Sequence, residues 1–336
     1  MPRLECAIWE FTLGCNLRCS HCGSIAGQPR EHELDTKESF RLCEALAETG
    51  CRDLAIMGGE PLLRDDFPAV ARCAKDLGLN LSIVSNGTIV DKHIEDLRRL
   101  EPKVVGVSVD GMRENHEKIR GPGTWDKAVA SIQLLRDNDI QTTVITTVSK
   151  INFKDLPEMG ELIKGKGVNW QIQTAMPFGS FRRELTLSRD EFYATAMFIA
   201  KERISNRFED MPVVGAHCYG YNSKVLPGCV WNGCTAGMST VGITSDGGVV
   251  GCLSMGNDRF IEGNVRDAHF RDIWTNPDAF AYTRRFKQDD LGENCRGCKY
   301  GLKCGGGCNS ASNALTGKFH NDPYCFHKIE EELIGL

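Results

Sequence analysis

The chain has 336 residues, and its 40 Lys plus Arg against 45 Asp plus Glu leave a net charge of −5, with a pI near 6.0. That balance excludes DNA or an anionic membrane as the main partner. No apolar run approaches the ~20 residues of a membrane span, and Met1-Pro2-Arg3-Leu4-Glu5 lacks the charged-then-apolar layout of a signal peptide, so the expectation is a soluble, cytoplasmic protein of roughly two domains. The anomaly is 16 Cys. At about 5% of the residues they fall short of a disulfide scaffold, and a reducing compartment would keep them as thiols, which points to metal ligation.

From Cys6 to about Ala175, short β-branched runs alternate with longer amphipathic ones, the pattern of βα units on a parallel sheet. The apolar runs predict six strands, at Ala7–Leu13, Asp53–Met57, Leu81–Ser85, Val104–Val109, Thr142–Val148 and Trp170–Thr174. The first helix shows how such segments start and stop. Asp35 caps it, Glu38 reciprocates three residues later, Phe40, Cys43, Leu46 and Ala47 share a face, and Gly50 ends it. Ser188 and Glu191 repeat the capping pattern before Phe192, Met197 and Ile199. Six units are too few for a closed eightfold barrel, so an open, partial one is expected, with its reactive end at the C-terminal edge of the strands. After about Ser205, Gly, Pro, Asn and Cys take over, and nine of the sixteen Cys lie between Cys218 and Cys325. Residues 1–205 therefore read as the barrel and 206–336 as a small Cys-rich α+β extension, held by metal clusters in place of a large core.

Just after the first predicted strand comes Cys15-Asn-Leu-Arg-Cys19-Ser-His-Cys22, a C-x3-C-x2-C spacing. Three thiolates on one short loop can hold three irons of a cubane and leave the fourth without a protein ligand. Structural zinc is the alternative, but it would want a fourth Cys or His at close spacing, and His21 lies inside the loop itself. The motif resembles that of the radical S-adenosylmethionine (radical SAM) enzymes, α/β proteins built on a partial (βα)6 barrel. The resemblance implies that Cys15, Cys19 and Cys22 ligate a [4Fe–4S] cluster whose open iron is chelated by S-adenosylmethionine (SAM). One departure is His21, where the family usually has Tyr, Phe or Trp; it remains a flat ring able to pack near adenine. Further along, Gly58-Gly59-Glu60-Pro61 matches the family's GGEP motif, in which backbone and Glu60 meet the SAM amino group. Two glycines there allow close backbone approach. Ser85-Asn86-Gly87 and Ser108-Val109-Asp110-Gly111 end the next two strands, and the resemblance implies that Ser108 and Arg120, in Ile119-Arg120-Gly121, contact the ribose and carboxylate of SAM. A guanidinium suits a carboxylate because it binds bidentately.

The C-terminal run reads Cys234-x12-Gly247-x4-Cys252, then Cys295-x2-Cys298-x5-Cys304-x3-Cys308, then Cys325. Two structural zinc knuckles are the bland alternative, since C-x2-C also suits zinc. The run is similar to the SPASM extension of radical SAM enzymes, whose Cys are shared crosswise between two auxiliary [4Fe–4S] clusters. By that resemblance Cys234, Cys252 and Cys308 serve an inner cluster, with Cys229 as its fourth ligand or Cys218 in its stead, and Cys295, Cys298, Cys304 and Cys325 serve an outer one. Three clusters then use eleven Cys and leave Cys6, Cys43, Cys51, Cys73 and Cys218. Cys218, in Gly215-Ala-His-Cys218-Tyr-Gly-Tyr221, is either a hydrogen-atom donor, as in some peptide epimerases, or a ligand or buried thiol.

The resemblance implies reductive cleavage of SAM to a 5′-deoxyadenosyl radical that abstracts a hydrogen atom from substrate. Most SPASM enzymes act on peptides, so a ribosomally made peptide is the expected substrate, with cross-linking, oxidation or epimerisation as the outcome. Leu253 stands where sulfatase maturases place an Asp, which disfavours formylglycine formation. Only some 14 residues precede Cys15, so the expectation is either a separate leader-binding protein or a substrate that is leaderless or small, beside a flavodoxin- or ferredoxin-type reductant. The alternatives are a small-molecule epimerase or dehydrogenase of the aminoglycoside type and a non-catalytic electron carrier. The first needs a closed cavity where a peptide needs a groove, and the second is disfavoured by Gly58, Glu60, Ser108 and Arg120.

Overall fold

The computed structural model describes residues 2–205, 211–216, 219, 221–223, 231–255 and 258–335. Six parallel strands, β1 (Cys6–Thr12), β2 (Asp53–Gly58), β3 (Asn80–Ser85), β4 (Val104–Ser108), β5 (Thr142–Val148) and β6 (Asn169–Thr174), lie side by side in chain order. Each stands within a residue of its predicted bounds. The connecting helices are α1 (Thr36–Glu48), α2 (Phe67–Asp76), α3 (Val90–Leu100), α4 (Arg113–Arg120), α5 (Thr124–Asp137) and α6 (Leu156–Ile163), followed by α7 (Arg189–Ser205). In β5, Thr-Thr-Val-Ile-Thr-Thr-Val is almost wholly β-branched, which suits a pleated strand and resists helix. Thr142, Val144, Thr146 and Val148 are fully buried. Buried hydroxyls need partners, and Thr146 donates to the Val109 carbonyl at 2.7 Å while accepting from the Trp170 indole at 2.9 Å.

The first helix begins and ends as its sequence dictates. Asp35 and Glu38 form a reciprocal capping box at 2.8 and 2.9 Å. At the other end Gly50, at φ +96°, donates to Ala47 and Cys51 donates to Leu46, a Schellman closure. Its buried stripe is centred one position off the expected face: Leu42, Cys43 and Leu46 are buried, with Phe40 and Ala47 on the flank. The Ser188–Glu191 box starts α7 in the same way.

The sheet does not end at six strands. β7 (Val213–Gly215) pairs parallel with β6 at one edge, and at the other β8 (Thr240–Ile243) pairs parallel with β1. β9 (Gly248–Val250) and β10 (Gly263–Asn264) then add antiparallel, giving the order β10-β9-β8-β1-β2-β3-β4-β5-β6-β7. Strands of two to four residues broken by Gly carry too little alternation to be legible in sequence. The Cys-rich region adds the short helices α8 (Phe270–Thr275), α9 (Ala281–Arg284), α10 (Gly301–Cys304), α11 (Asn309–Thr316) and α12 (Phe326–Ile334). It is tied to the barrel by Glu10, which accepts from the Arg30 side chain and from Ser245 at 3.0 to 3.2 Å. Among the described residues no helix is long and apolar enough to cross a membrane.

Asp35→Ala removes one half of the capping box. Urea denaturation should show a loss of about 1 kcal/mol; an unchanged midpoint would mean that packing alone sets the start of α1.

Candidate functional site

The loop carrying Cys15, Cys19 and Cys22 lies across the C-terminal ends of the strands and is fastened at several points. Cys15 donates its backbone N–H to Gly27 at 3.0 Å, Ser20 donates to Ile119 at the end of α4 at 2.9 Å, and Ser180, beyond β6, donates to the Cys22 carbonyl at 2.9 Å. Asn16 is held by Thr88 and Asn86, both at 2.8 Å. The tip of β2 packs directly on the same loop. Gly59 donates to Thr12 at 2.7 Å and Glu60 to Gly14 at 2.8 Å. A Cβ on Gly59 would stand 2.1 Å from the Gly14 carbonyl oxygen, and one on Gly58, at φ +135°, 2.3 Å from that of Thr12. The two glycines thus serve the approach of backbone to backbone beneath the cysteine loop.

All three thiols are half-buried. Burial raises the Cys15 pKa and pushes Cys19 up to about 11 against the opposing pull of Arg120, so as free groups both stay protonated. Cys15 Sγ receives the Leu17 N–H at 3.4 Å and Cys22 Sγ the Ala26 N–H at 3.3 Å. Three sulfurs on one loop, with amide donors aimed at them and no further protein ligand beside them in sequence, form a donor set that fits an iron–sulfur cubane with one open iron.

Around this loop stand two buried carboxylates. Glu60 accepts from Asn86 N–H at 2.7 Å and from Leu62 N–H at 3.4 Å, and burial raises its pKa to about 7. Asp110 is the more connected. Its Oδ2 meets His21 Nε2 at 2.7 Å and Arg120 Nε at 2.5 Å, its Oδ1 accepts from Thr147 N–H at 2.7 Å, and its own N–H donates to His116 Nδ1 at 3.1 Å. Burial works to raise the Asp110 pKa, but Arg120 and His21 outweigh it and hold the carboxyl far below the usual carboxylate range. His116, buried beneath and repelled by Arg120, is lowered to about 4 and stays neutral. The terminal nitrogens of Arg120 have no partner among the described residues, which leaves a guanidinium fork for a carboxylate. His21 is held by Asp110 through Nε2, at the edge of its ring. Ser108, at the end of β4, is buried.

Sequence reasoning quoted Asp110 only as part of a strand-ending motif and missed its role as the hub. The available signal was an acid at a strand tip ten residues before the expected Arg120. It also missed the Asn16–Asn86–Thr88 lattice beneath Cys15.

In the extension, Cys234, Cys252 and Cys308 come together. Burial raises the first to about 12, and Cys308 and Cys252 lie near enough to raise it further. Cys308 Sγ is 3.2 Å from Ser310 Oγ. Cys295, Cys298, Cys304 and Cys325 all line one small pocket, beside Tyr221 and Asp322. Burial pushes Cys295 and Cys325 up to about 12 and Cys304 up to about 11. Each set is a group of buried or half-buried sulfurs, with Lys328 the cation beside Cys295 in the outer one, and the donor chemistry of each fits a positively charged iron core. Cys218 and Cys229 lie outside the described residues. Cys43 and Cys51 are buried, and Cys73 packs on the core, as expected of residues that are not ligands.

The radical SAM superfamily model matches residues 9–163, and the SPASM iron–sulfur cluster-binding domain matches residues 234–299. The chain is 29% identical to the AdoMet-dependent heme synthase of Methanosarcina barkeri, with 97% of each covered. It is 26% identical to the mycofactocin maturase MftC of Mycolicibacterium smegmatis, over 91% of this chain and 78% of that one. Among solved structures, native anSMEcpe with bound AdoMet has a TM-score of 0.77 at 19% identity, covering 98% and 96% of the two chains. Streptococcus suis SuiB bound to S-adenosylmethionine has a TM-score of 0.77 at 14% identity, covering 96% and 76%. At these identities the structural likeness is one of fold.

Asp110→Asn strands Arg120, whose side chain is only 10% exposed. Stability should fall by about 3–5 kcal/mol in chemical denaturation, as for a buried pair that loses one partner, and Asp110→Asn/Arg120→Met should recover part of it. An equal loss in the double variant would show that the two residues do not act as a pair.

Proposed function

We propose that this chain, a radical SAM enzyme with a C-terminal SPASM domain, reductively cleaves SAM and removes a hydrogen atom from a ribosomally made peptide. The observation that carries the reading is the gathering of the cysteine loop, Glu60, Asp110 and Arg120 at one end of the parallel strands. When bound there, the cluster and SAM supply the one-electron cleavage that yields methionine and a 5′-deoxyadenosyl radical. Cys15, Cys19 and Cys22 hold that cluster. Glu60 accepts the N–H of the SAM amino group, and its buried carboxylate is worth most there because little water competes. Asp110 locks the Arg120 side chain through Nε so that its other two nitrogens meet the SAM carboxylate. Ser108 lies within the same ring of strand ends, toward the ribose. Two auxiliary clusters complete the set, the inner on Cys234, Cys252 and Cys308 with Cys229, the outer on Cys295, Cys298, Cys304 and Cys325. A flavodoxin- or ferredoxin-type protein delivers the electron.

The substrate side favours a peptide. Val144, Trp170 and Ile172 of β5 and β6 are buried in the core, so the alternate residues Thr143, Ile145, Thr147, Asn169, Gln171 and Gln173 face the other way, into the barrel. Gln173 donates to Thr147 Oγ1 at 3.0 Å and Gln171 to Gln173 Oε1 at 3.3 Å. A neutral ladder of amides and hydroxyls suits peptide groups, and the mycofactocin maturase relative and SuiB, solved with its precursor peptide SuiA, are consistent with that class. The second reading is a tetrapyrrole, supported by end-to-end similarity to AdoMet-dependent heme synthases. Its carboxylates would call for cationic partners.

Anaerobic co-expression with the short peptide encoded nearest the gene should change that peptide. Loss of two hydrogens marks cross-linking or oxidation, and one deuterium retained on carbon from deuterated water marks epimerisation. An untouched peptide with a haem precursor converted by the enzyme would move the tetrapyrrole to first place. Glu60→Gln should weaken SAM binding about tenfold, a loss on the scale of one charge-assisted hydrogen bond. Because burial puts the Glu60 pKa at about 7, the ratio of wild-type to variant affinity should widen from pH 6 to pH 8 as the carboxylate ionises. A ratio flat across that range would remove Glu60 from the site.

A further inference from the structure

Helix α9 is four residues long, yet Tyr282 within it is fixed on several sides. Phe319 stacks on its ring at 4.8 Å and 23°, and Phe260 meets it at 6.3 Å. His320 Nε2 is 2.7 Å from the Tyr282 carbonyl oxygen. The neighbouring Thr283 accepts from Asn309 at 3.1 Å, and Asn309 directly follows Cys308. The ring cannot swing, so its hydroxyl has one direction.

That direction is toward the inner group of sulfurs. A Cβ on Gly251, which precedes Cys252, would lie 2.0 Å from Tyr282 Oη and 3.4 Å from the Cβ of Ala236, two residues beyond Cys234. Position 251 is glycine because the hydroxyl occupies its side-chain space. The oxygen is buried and its proton meets no acceptor among the described residues, the Gly251 N–H lying on the accepting side of the oxygen; a buried O–H without an acceptor is costly. Burial, with Glu262 nearby, drives its pKa well above that of an ordinary tyrosine, so the O–H keeps its proton and is a donor. The acceptor that fits is a sulfur of a group bound between Cys234 and Cys252.

We propose that Tyr282 is a positioning residue whose O–H donates to a thiolate sulfur of the inner auxiliary cluster and holds that cluster's reduction potential up. Donors to sulfur stabilise the more negative, reduced state, and hydrogen bonding is among the main determinants of iron–sulfur potentials. The inference rests on the inner cluster proposed above. It places the electronic control of that cluster on α9, outside the cysteine motif.

The test uses the full chain carrying Cys15→Ala, Cys19→Ala and Cys22→Ala, so that only auxiliary signals remain, with and without Tyr282→Phe. Redox titrations followed by electron paramagnetic resonance should show one auxiliary midpoint falling, by a roughly tenfold change in the reduction equilibrium or ~59 mV for one electron, with about eight irons retained per chain. Two unmoved midpoints would overturn the proposal, as would loss of about four irons, which makes the ring a packing element only. As a second readout, the iron–thiolate stretches in resonance Raman spectra should include a deuterium-sensitive band that Tyr282→Phe abolishes; its persistence overturns the assignment. About four irons in the parent, before any change at Tyr282, would instead remove the inner cluster itself.

Discussion

Gly59 and Glu60 donate their backbone N–H groups to Thr12 and Gly14, and a side chain at Gly59 would strike the Gly14 carbonyl at 2.1 Å. This backbone contact presses the end of β2 onto the start of the cysteine loop, and the rest of the site depends on it. Cys15 follows Gly14 directly, so its position is that of the β2 tip. Glu60, immediately after the contact, is thereby delivered to a buried place where Asn86 N–H holds it. The same loop then reaches α4 through Ser20 and the segment after β6 through Ser180. One short loop collects the ends of strands that are far apart in sequence, and a parallel sheet is what makes their ends coincide.

Charge is arranged around that contact in layers. Asp110, wholly buried, binds Arg120 and His21 where a lone ion would be costly and a hydrogen-bonded pair is tolerated. Arg120 is committed at Nε and free at its terminal nitrogens, so it is oriented before any ligand arrives. Across the sheet the walls of β5 and β6 are neutral. Those two strands thus offer amides, hydroxyls and Ile145 in place of charge.

The sequence carried much of this in local form. Asp35, Glu38 and Gly50 announce α1 because capping is decided within a few residues, and β5 announces itself by unbroken β-branching. The Cys15–Cys22 spacing was equally readable, since it lies within one loop, and the structure brings Cys295, Cys298, Cys304 and Cys325 around one pocket. What stayed hidden is what forms only across the fold. Thr240–Ile243 has no periodicity of its own and becomes a strand because β1 offers an open edge. Asp110 looks like the end of a strand until Arg120 and His21 turn toward it. Tyr282 has no motif at all, and only the absent side chain of Gly251 marks where its hydroxyl goes.

The central claim is that Cys15, Cys19 and Cys22 hold the cluster that cleaves SAM while the extension holds two more. Iron and 5′-deoxyadenosine, measured together in anaerobically reconstituted protein with a chemical reductant, test it most directly. The account predicts about twelve irons per chain with SAM cleaved, and about eight irons with no cleavage once those three residues are Ala. Cleavage that survives in the triple variant, or a parent chain with the same iron content as the variant, would contradict it.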